Sequence, residues 1–292
     1  MKVFYRVEQN ARNAESFSPS AGKPREAVQD WLRRGLIAPE DVLGFEPVTR
    51  EQIKLAHDAE YVDAVLDLRE HNGFGNASAE VAASLPHTTG SLLAAAQHAL
   101  VSKTAVCSPT SGFHHARYTN GAGFCTFNGL MVTALALKQA GLVNTVGIID
   151  LDMHYGDGTD AIIQRCDAHW IRHHTQGAKF HVRADMGPNA ERYFGWLDAA
   201  IADCQGVDLL IYQAGADPHI NDPLGGLLNE VEMAKRDHAV FRGFKHRPLV
   251  WNLAGGYQRD MDGSLAPVLR LHRHTVVACQ AINTQSEAKP CI

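Results

Sequence analysis

Residues 145–150 read TVGIID, and they run directly into LDMHYGDGT at 151–159. The first segment is a short apolar run that has the length and composition of a strand buried on both faces of a parallel sheet. The second segment begins where that strand would end, and it brings together Asp150, Asp152, His154 and Asp157. In open parallel sheets, ligands bind beyond the carboxyl ends of the strands. We therefore expect a functional site at the end of this strand.

Similar apolar runs recur along the chain and alternate with helical patterns. Strands are expected at 2–7, 104–108, 145–150, 168–173, 208–213 and 248–253, and helices at 25–35, 50–69, 88–101 (with Thr88 or Thr89 as N-cap), 128–140, 157–165, 189–204, 229–244 and 262–273. Strands joined by helices form βαβ units and a parallel sheet covered on both faces. The sequence therefore predicts a single α/β domain over residues 1–282, a three-layer α/β/α structure with a mostly parallel central sheet. The polar tail at 283–292 is expected to be loose.

Composition excludes several classes of protein. With 45% hydrophobic and 20% charged residues, the chain is an ordinary globular protein rather than a disordered one. A formal charge of −5 argues against a nucleic-acid partner. No apolar stretch is long enough to span a membrane, and the N-terminus has no signal-peptide core, so we expect a cytoplasmic protein with no membrane partner. The six cysteines form no CxxC pair, which is typical of reduced thiols.

Histidine is the one unusual count, with sixteen in 292 residues. Its imidazole binds metals and transfers protons near neutral pH, so the positions of these residues matter. The loops after four predicted strands carry reactive side chains. His114 and His115 follow the strand at 104–108, and the aspartates and the histidine of residues 150–157 follow the strand at 145–150. Asp217 follows the strand at 208–213, and Tyr257 follows the strand at 248–253. Because these strand ends lie at one edge of a parallel sheet, the side chains are expected to converge.

Asp152 and His154 are two positions apart, so in extended chain their side chains point the same way and can bind one cation. Asp217 would complete a set of three ligands that leaves positions open for water and substrate. Carboxylate and imidazole suit Zn²⁺, and also Fe²⁺ or Co²⁺. A single Asp at a strand end is commonly a helix N-cap. Capping does not account for three aspartates and a histidine in so short a segment.

Adjacent histidines on a loop are usually solvated, but beside a metal-bound water His114 and His115 become candidates for general base and general acid. Such imidazoles need an acceptor on the second ring nitrogen, which Asp150 and Asp157 could supply. A tyrosine after two glycines usually has a packing role. At this site, the Tyr257 phenol could instead donate a hydrogen bond to a developing oxyanion.

Taken together, these motifs resemble those of the histone deacetylase and acetylpolyamine amidohydrolase superfamily. The resembling stretches are HDAEYV (57–62), GFHHA (112–116), GAGFCTFNG (121–129), IIDLDMHYGDGT (148–159), QAGADPHINDPLGG (213–226) and AGGY (254–257). They occur in the family's order and cover roughly residues 50–275. The resemblance implies an arginase/deacetylase-like fold and a zinc-dependent amidohydrolase. Its substrate would be a small molecule or peptide carrying an acylated amine, such as acetyl-lysine or an acetylpolyamine, hydrolysed by metal-activated water to acetate and free amine.

The resemblance also implies a role for individual residues. The implied metal ligands are Asp152, His154 and Asp217, and the implied catalytic residues are His114, His115, Tyr257, Asp150 and Asp157. Within these, His115 is the general base, Asp150 is the partner of His114 and Asp157 is the partner of His115. The implied substrate-binding residues are Gly123, Phe124 and Gly256. A structural K⁺ would use Asp150 and backbone carbonyls.

The chain departs from the family between its metal loop and Asp217. Relatives have a strand reading roughly Ser-Leu-His and then a long Gly-rich stretch, where this chain has WIRHHTQGAKF at 170–180. A loop that in relatives supplies a second tunnel aromatic and part of the potassium site is therefore expected to be missing, which would make the pocket wider or shallower. Two other functions stay open: a non-catalytic metal or acyl-amine binding protein on the same fold, and a ureohydrolase with two manganese ions. The oligomeric state, including a homo-oligomer, is also open.

Overall fold

The computed structural model describes residues 1–11, 16–180 and 190–283. The strands in these ranges are β1 (Val3–Phe4), β2 (Val42–Leu43), β3 (Ala105–Cys107), β4 (Val146–Asp150), β5 (Ile171–Thr175), β6 (Leu209–Gln213) and β7 (Leu249–Asn252). The α-helices there are α1 (Lys23–Arg33), α2 (Arg50–Ile53), α3 (Ala59–Leu66), α4 (Ala79–Ser102), α5 (Gly129–Gln139), α6 (Asp157–Arg165), α7 (Ala190–Asp203), α8 (Glu230–Gly243) and α9 (Ala266–Asn283).

The strands form one sheet in the order β2-β1-β3-β7-β6-β4-β5, and every pairing between them is parallel. One face of the sheet packs against α1, α7, α8 and α9 in a core that includes Trp31, Tyr193 and Trp251. The opposite face packs against α2 to α6 in a second core that includes Ile53, Leu92 and Leu130. The predicted three-layer α/β/α fold is therefore confirmed.

The register of the central strands brings the predicted strand ends together. All five residues of β4 are buried, as expected for a strand covered on both faces. Asp150 at the end of β4 is level with Gln213 of β6 on one side and Thr175 of β5 on the other. Gln213 is in turn level with Asn252 of β7. The loops that follow these strands consequently start at the same edge of the sheet.

Helix boundaries were the weakest part of the prediction. The helix expected at 50–69 is two helices, α2 and α3, with a turn between them in which His57 accepts the main-chain N–H of Asn128. The helix expected at 88–101 begins earlier, because Ser78 caps it by accepting from the main-chain N–H of Val81. Thr88 and Thr89 are therefore not its N-cap but lie inside α4, which contains Pro86.

Other differences lie at the edges and ends of the fold: the strand expected at 168–173 is β5 (Ile171–Thr175), and the strand expected at 2–7 is β1 (Val3–Phe4). The two-residue strand β2 was not predicted, and it forms the edge of the sheet beside β1. The final helix continues to Asn283, well beyond the expected end at residue 273. The rest of the predicted tail, 284–292, lies outside the described residues. Among those that are described, none of the helices combines the length and hydropathy that crossing a bilayer requires.

Candidate active site

The predicted ligands Asp152, His154 and Asp217 form a compact group, the Asp–His–Asp cluster. One ligand atom from each lies within 4.8 Å of the other two. His154 Nδ1 is 3.0 Å from Asp152 Oδ1 and 3.2 Å from Asp217 Oδ2. Both carboxylates are buried, and the imidazole is partly exposed. The cluster therefore offers two oxygens and a nitrogen at the bottom of an accessible site.

The chemistry of the cluster fits a divalent cation. Burial, followed by the neighbouring charge of Asp152, raises the pKa of Asp217 to about 7, because two buried carboxylates repel each other. Asp217 Oδ2 is buried and accepts no well-aligned hydrogen bond. A Cβ atom at Gly255 would lie 2.3 Å from that oxygen and 2.7 Å from Asp152 Oδ2. The glycine therefore leaves a space between the two carboxylates. A cation bound in that space would reduce the repulsion between them.

His114 and Asp150 form a fully buried pair beside the cluster. The imidazole Nδ1 lies 2.8 Å from Asp150 Oδ2, and since a carboxylate only accepts, Nδ1 carries the proton. Asp150 Oδ1 accepts from the main-chain N–H of Asp152 and from Gln213 Nε2. Burial alone would lower the pKa of His114, but the charges of Asp150 and Asp152 outweigh it and raise this pKa to about 9.

His115 and Asp157 form a second pair of the same kind. Nδ1 of His115 lies 2.8 Å from Asp157 Oδ1, and Arg117 donates to the other carboxylate oxygen. The two imidazole rings are 4.1 Å apart between centroids. Burial and the adjacent His114 cation lower the pKa of His115. The environments thus push the pKa values of the two histidines in opposite directions, an arrangement that separates an acid from a base.

Tyr257 lies next to the Asp–His–Asp cluster, with its ring centroid 6.5 Å from that of His154. Burial raises the pKa of its phenol well above the usual value, so the phenol stays protonated and can donate. Its ring is flanked by Phe124, with centroids 6.0 Å apart, and by Phe17, stacked at 6.0 Å. The predicted substrate-wall residue Phe124 is therefore next to the phenol, and Phe17 from the N-terminal segment is a second aromatic that the sequence did not indicate.

The two predicted substrate-binding glycines occupy different positions. Gly123 has φ of +52°, and a Cβ there would lie 2.4 Å from the His115 ring. It therefore gives His115 room at the site. Gly256 has φ of +139°, and its missing side chain would meet Ala216 at 2.9 Å and Val268 at 3.1 Å. Gly256 thus faces the protein interior and allows the unusual backbone path that leads into Tyr257.

Lys23 is a buried neighbour of the site that sequence reasoning missed. It is fully buried at the start of α1, and its Nζ donates to the main-chain oxygen of Ala254 at 2.6 Å. Burial lowers the pKa of Lys23 to about 8, although Asp217, Asp152 and Asp222 oppose that shift. The Lys23 ammonium thus anchors the AGGY segment through the main-chain oxygen of its first residue. No local pattern signals this contact, because Lys23 and Ala254 lie at opposite ends of the chain.

Asp222 is the second residue that the sequence did not single out, although it lies inside the quoted NDPLGG stretch. Its Oδ2 accepts the main-chain N–H of Tyr257 at 2.7 Å and that of Gln258 at 3.1 Å. Its Oδ1 accepts the main-chain N–H of Leu224 at 3.0 Å. Asp222 therefore ties the loop that carries Asp217 to the loop that carries Tyr257.

All eight predicted catalytic and metal-binding residues are thus brought together at one edge of the sheet. A cleft of about 550 Å³ opens beside them and is lined by residues that include His115, Arg117, His154 and Asp157. The segment after β5 runs into residues 181–189, which lie outside the described residues. The absence of a loop with a second tunnel aromatic therefore stays a prediction.

Comparison with known proteins agrees with this geometry. The family model described as histone deacetylase domain matches residues 20–181, more than half of the chain. The chain belongs to the histone deacetylase family. As a member of this family it is a hydrolase that acts on amide bonds.

Individual relatives of this histone deacetylase family member are distant. An uncharacterised protein of Picosynechococcus is 28% identical over 267 residues, covering 83% of this chain and 87% of that protein. Histone deacetylase 2 of Arabidopsis thaliana is 31% identical over 170 residues, covering 51% of this chain and 43% of the plant protein. A crystal structure of acetylpolyamine aminohydrolase from Burkholderia pseudomallei superposes with a TM-score of 0.72 at 16% identity, covering 97% of this chain and 99% of that chain. The likeness to that structure shows the shared fold.

Proposed function

We propose that this protein is a zinc-dependent deacetylase that hydrolyses a small N-acylated amine, of the acetyl-lysine or acetylpolyamine kind, to a carboxylate and a free amine. The observation that carries the proposal is the pair of His–Asp contacts beside the Asp–His–Asp cluster, one buried and one partly exposed, together with the Tyr257 ring 6.5 Å from that of His154. The printed names of the relatives, which include acetylpolyamine aminohydrolase, support the substrate class.

The residues of the cluster, Asp152, His154 and Asp217, would hold the metal ion. When bound, zinc supplies a Lewis acid that polarises the acyl carbonyl and lowers the pKa of a water molecule. The cluster has two oxygen donors and one nitrogen donor, so Fe²⁺ and Co²⁺ remain compatible with it. A structural K⁺ near Asp150 also remains a prediction.

His115 is the proposed general base. Its Nδ1 proton is held by Asp157, which leaves Nε2 free to accept a proton from the attacking water. His114 is the proposed acid that protonates the leaving amine, because its pairs with Asp150 and Asp152 favour its protonated form. Tyr257 is proposed to donate from its phenol to the carbonyl oxygen as negative charge develops there.

Phe124 and Phe17 would flank the stem of the substrate on the way to Tyr257. Each of their rings lies 6.0 Å from the Tyr257 ring, so they would give the substrate stem an apolar surface next to the phenol. Arg117 and Asp157 line the cleft and carry opposite charges. The polar amine portion of the substrate would lie beside them. This arrangement supports a small molecule or an exposed peptide side chain as substrate.

The experiment that tests the proposal combines metal analysis with turnover. Purified protein should hold one zinc in the Asp–His–Asp cluster and should release acetate from at least one compound in a panel of acetyl-lysine peptides, acetylpolyamines and small amides. Asp217→Asn should lose both that zinc and the turnover. Binding of acylated amines without hydrolysis by the zinc-loaded protein would contradict the proposal and favour the non-catalytic alternative. Two manganese ions in the cluster would favour a ureohydrolase.

A further inference from the structure

A second group of metal-ligating side chains lies outside the proposed active site, between the edge strand β5 and the C-terminal end of α7. It consists of His174, Asp203 and Cys204, which offer a nitrogen, an oxygen and a sulfur within 4.8 Å of one another. His174 Nε2 is already 2.9 Å from Asp203 Oδ2. None of these residues contributes to the Asp–His–Asp cluster.

The sheet is built to receive the thiol of Cys204. In the pairing of β4 with β5, Gly147 lies beside Arg172, which is two residues before His174 in β5. Side chains two apart in a strand share a face, so the gap at Gly147 lies on the face to which His174 points. A Cβ at Gly147 would lie 3.0 Å from Cys204 Sγ and 3.2 Å from Cys204 Cβ. The glycine therefore makes room for the sulfur against the strand, close to the imidazole.

The position also favours a cation. The C-terminal end of a helix carries a partial negative charge, and Asp203 adds a full one. Arg172 donates to the main-chain oxygens of Asp203 and Gln205, which fixes the end of the helix against β5. This guanidinium offsets the partial charge of the helix end, so the Asp203 carboxylate is the group that would attract the ion. The His174 and Asp203 side chains are 26% and 56% exposed, so an ion can reach them from solvent, with the buried sulfur behind.

We propose that His174, Asp203 and Cys204 form a second metal site that binds a divalent transition metal ion of the zinc class. A set of one thiolate, one imidazole and one carboxylate suits Zn²⁺ or Co²⁺, whereas Mg²⁺ and Ca²⁺ prefer oxygen ligands. Binding replaces the thiol proton, so that the S–H bond breaks, a sulfur–metal bond forms and one proton is released to solvent. The ion would tie the edge strand β5 to α7.

The test uses Co²⁺ with the full chain after removal of bound metal by a chelator. A thiolate bound to Co²⁺ gives a charge-transfer absorption in the near ultraviolet, which the sulfur-free Asp–His–Asp cluster cannot give. We expect wild type to bind two Co²⁺ per chain and to show this absorption. Cys204→Ser and His174→Ala should each lose the absorption and one equivalent of Co²⁺. Cys166→Ser, which removes a partly buried thiol elsewhere, should keep both.

The Asp217→Asn variant separates this proposal from the proposed function, because it should lose the other equivalent while keeping the charge-transfer absorption. Thermal unfolding gives a second readout: zinc should raise the Tm of Asp217→Asn, and the rise should vanish when Cys204→Ser is added. Absence of the absorption in wild type, or its persistence in Cys204→Ser, would overturn the second site. In that case His174 and Asp203 form only a surface ion pair, and Cys204 only fills space above Gly147.

Discussion

Asp222 accepts the main-chain N–H of Tyr257 at a distance of 2.7 Å. A carboxylate from the loop after β6 thus sets the position of a phenol that follows β7. If Tyr257 polarises the acyl carbonyl, this bond helps to place it.

Asp222→Asn should therefore lower kcat by about 10²-fold, because even a shift of about 1 Å in a catalytic group is costly. The amide of Asn has a single acceptor oxygen, so it cannot accept from Leu224 on one side and from Tyr257 and Gln258 on the other, as the two carboxylate oxygens do. Steady-state kinetics and zinc content should be measured together, since zinc binding should persist. Asp262→Asn is a matched control: this exposed carboxylate accepts a main-chain N–H from Ser264 in a nearby turn, and its loss should leave kcat unchanged. Unchanged kcat in Asp222→Asn would refute the positioning role.

Asp157→Asn should reduce turnover by about 10- to 100-fold, the cost typical of losing a partner that orients a functional histidine. The His115 tautomer would no longer be fixed by a carboxylate, so Nε2 would not be reliably available as a base. The readout is the kcat of a zinc-saturated sample. Asp160→Asn removes a carboxylate from the same helix, one paired with His173, and should have a smaller effect. Equal losses in both variants would point to general disruption of α6.

Tyr257→Phe should lower kcat by about 10²- to 10³-fold, as expected when one donor to a developing oxyanion is removed. The ring and its contacts with Phe124 and Phe17 are retained, so stability and zinc content should stay close to wild type. Tyr155→Phe serves as the control, because its hydroxyl donates to Asp160 at the cleft surface rather than at the cluster. A Tyr257→Phe enzyme with normal kcat would show that the phenol does not assist the reaction.

Stability should fall in mild acid because of His57. Burial lowers the pKa of this histidine to about 4 in the folded protein, against 6.5 when exposed. The unfolded chain therefore binds the proton more readily, so the contribution of His57 is complete above pH 6.5 and is lost as the pH falls towards 4. The loss amounts to about 3 kcal/mol.

This dependence can be measured as the free energy of unfolding by urea between pH 7 and pH 4. His57→Gln should be less stable at neutral pH but should show a shallower decline, because the variant has no proton to gain at this position. His238→Gln, a change at an exposed histidine of α8, should keep the full slope. An identical slope in wild type and His57→Gln would assign the acid sensitivity to other groups.

The sequence predicts the sheet well because buried parallel strands leave a local signal. Val146–Asp150 and Leu209–Gln213 are short apolar runs between polar segments, and their observed bounds differ from the predicted ones by a single residue. The site followed from the same signal, since the register of Asp150 with Gln213 places two loops side by side. A two-residue edge strand such as β2 is too short to leave a pattern.

What could not be predicted depends on contacts between distant parts of the chain. The turn at His57 interrupts an otherwise helical pattern because its ring bonds to Asn128 and to the main-chain oxygen of Arg117. The helix expected to begin near Thr88 instead begins at Ala79 and contains Pro86. Lys23 and Phe17 reach the site from a segment with no recognisable motif.

The strand order also has a consequence for how the protein is made. Among the strands of the described residues, β7 comes last in the chain, yet it lies in the middle of the sheet, between β3 and β6. A nascent chain that stops before Leu249 would have two half-sheets with no strand to join them, and it would also lack Tyr257. The sheet and the proposed active site are therefore both incomplete until this late segment has been synthesised. A ribosome-bound intermediate should therefore be inactive until that segment emerges, and chaperones would encounter two exposed strand edges until then.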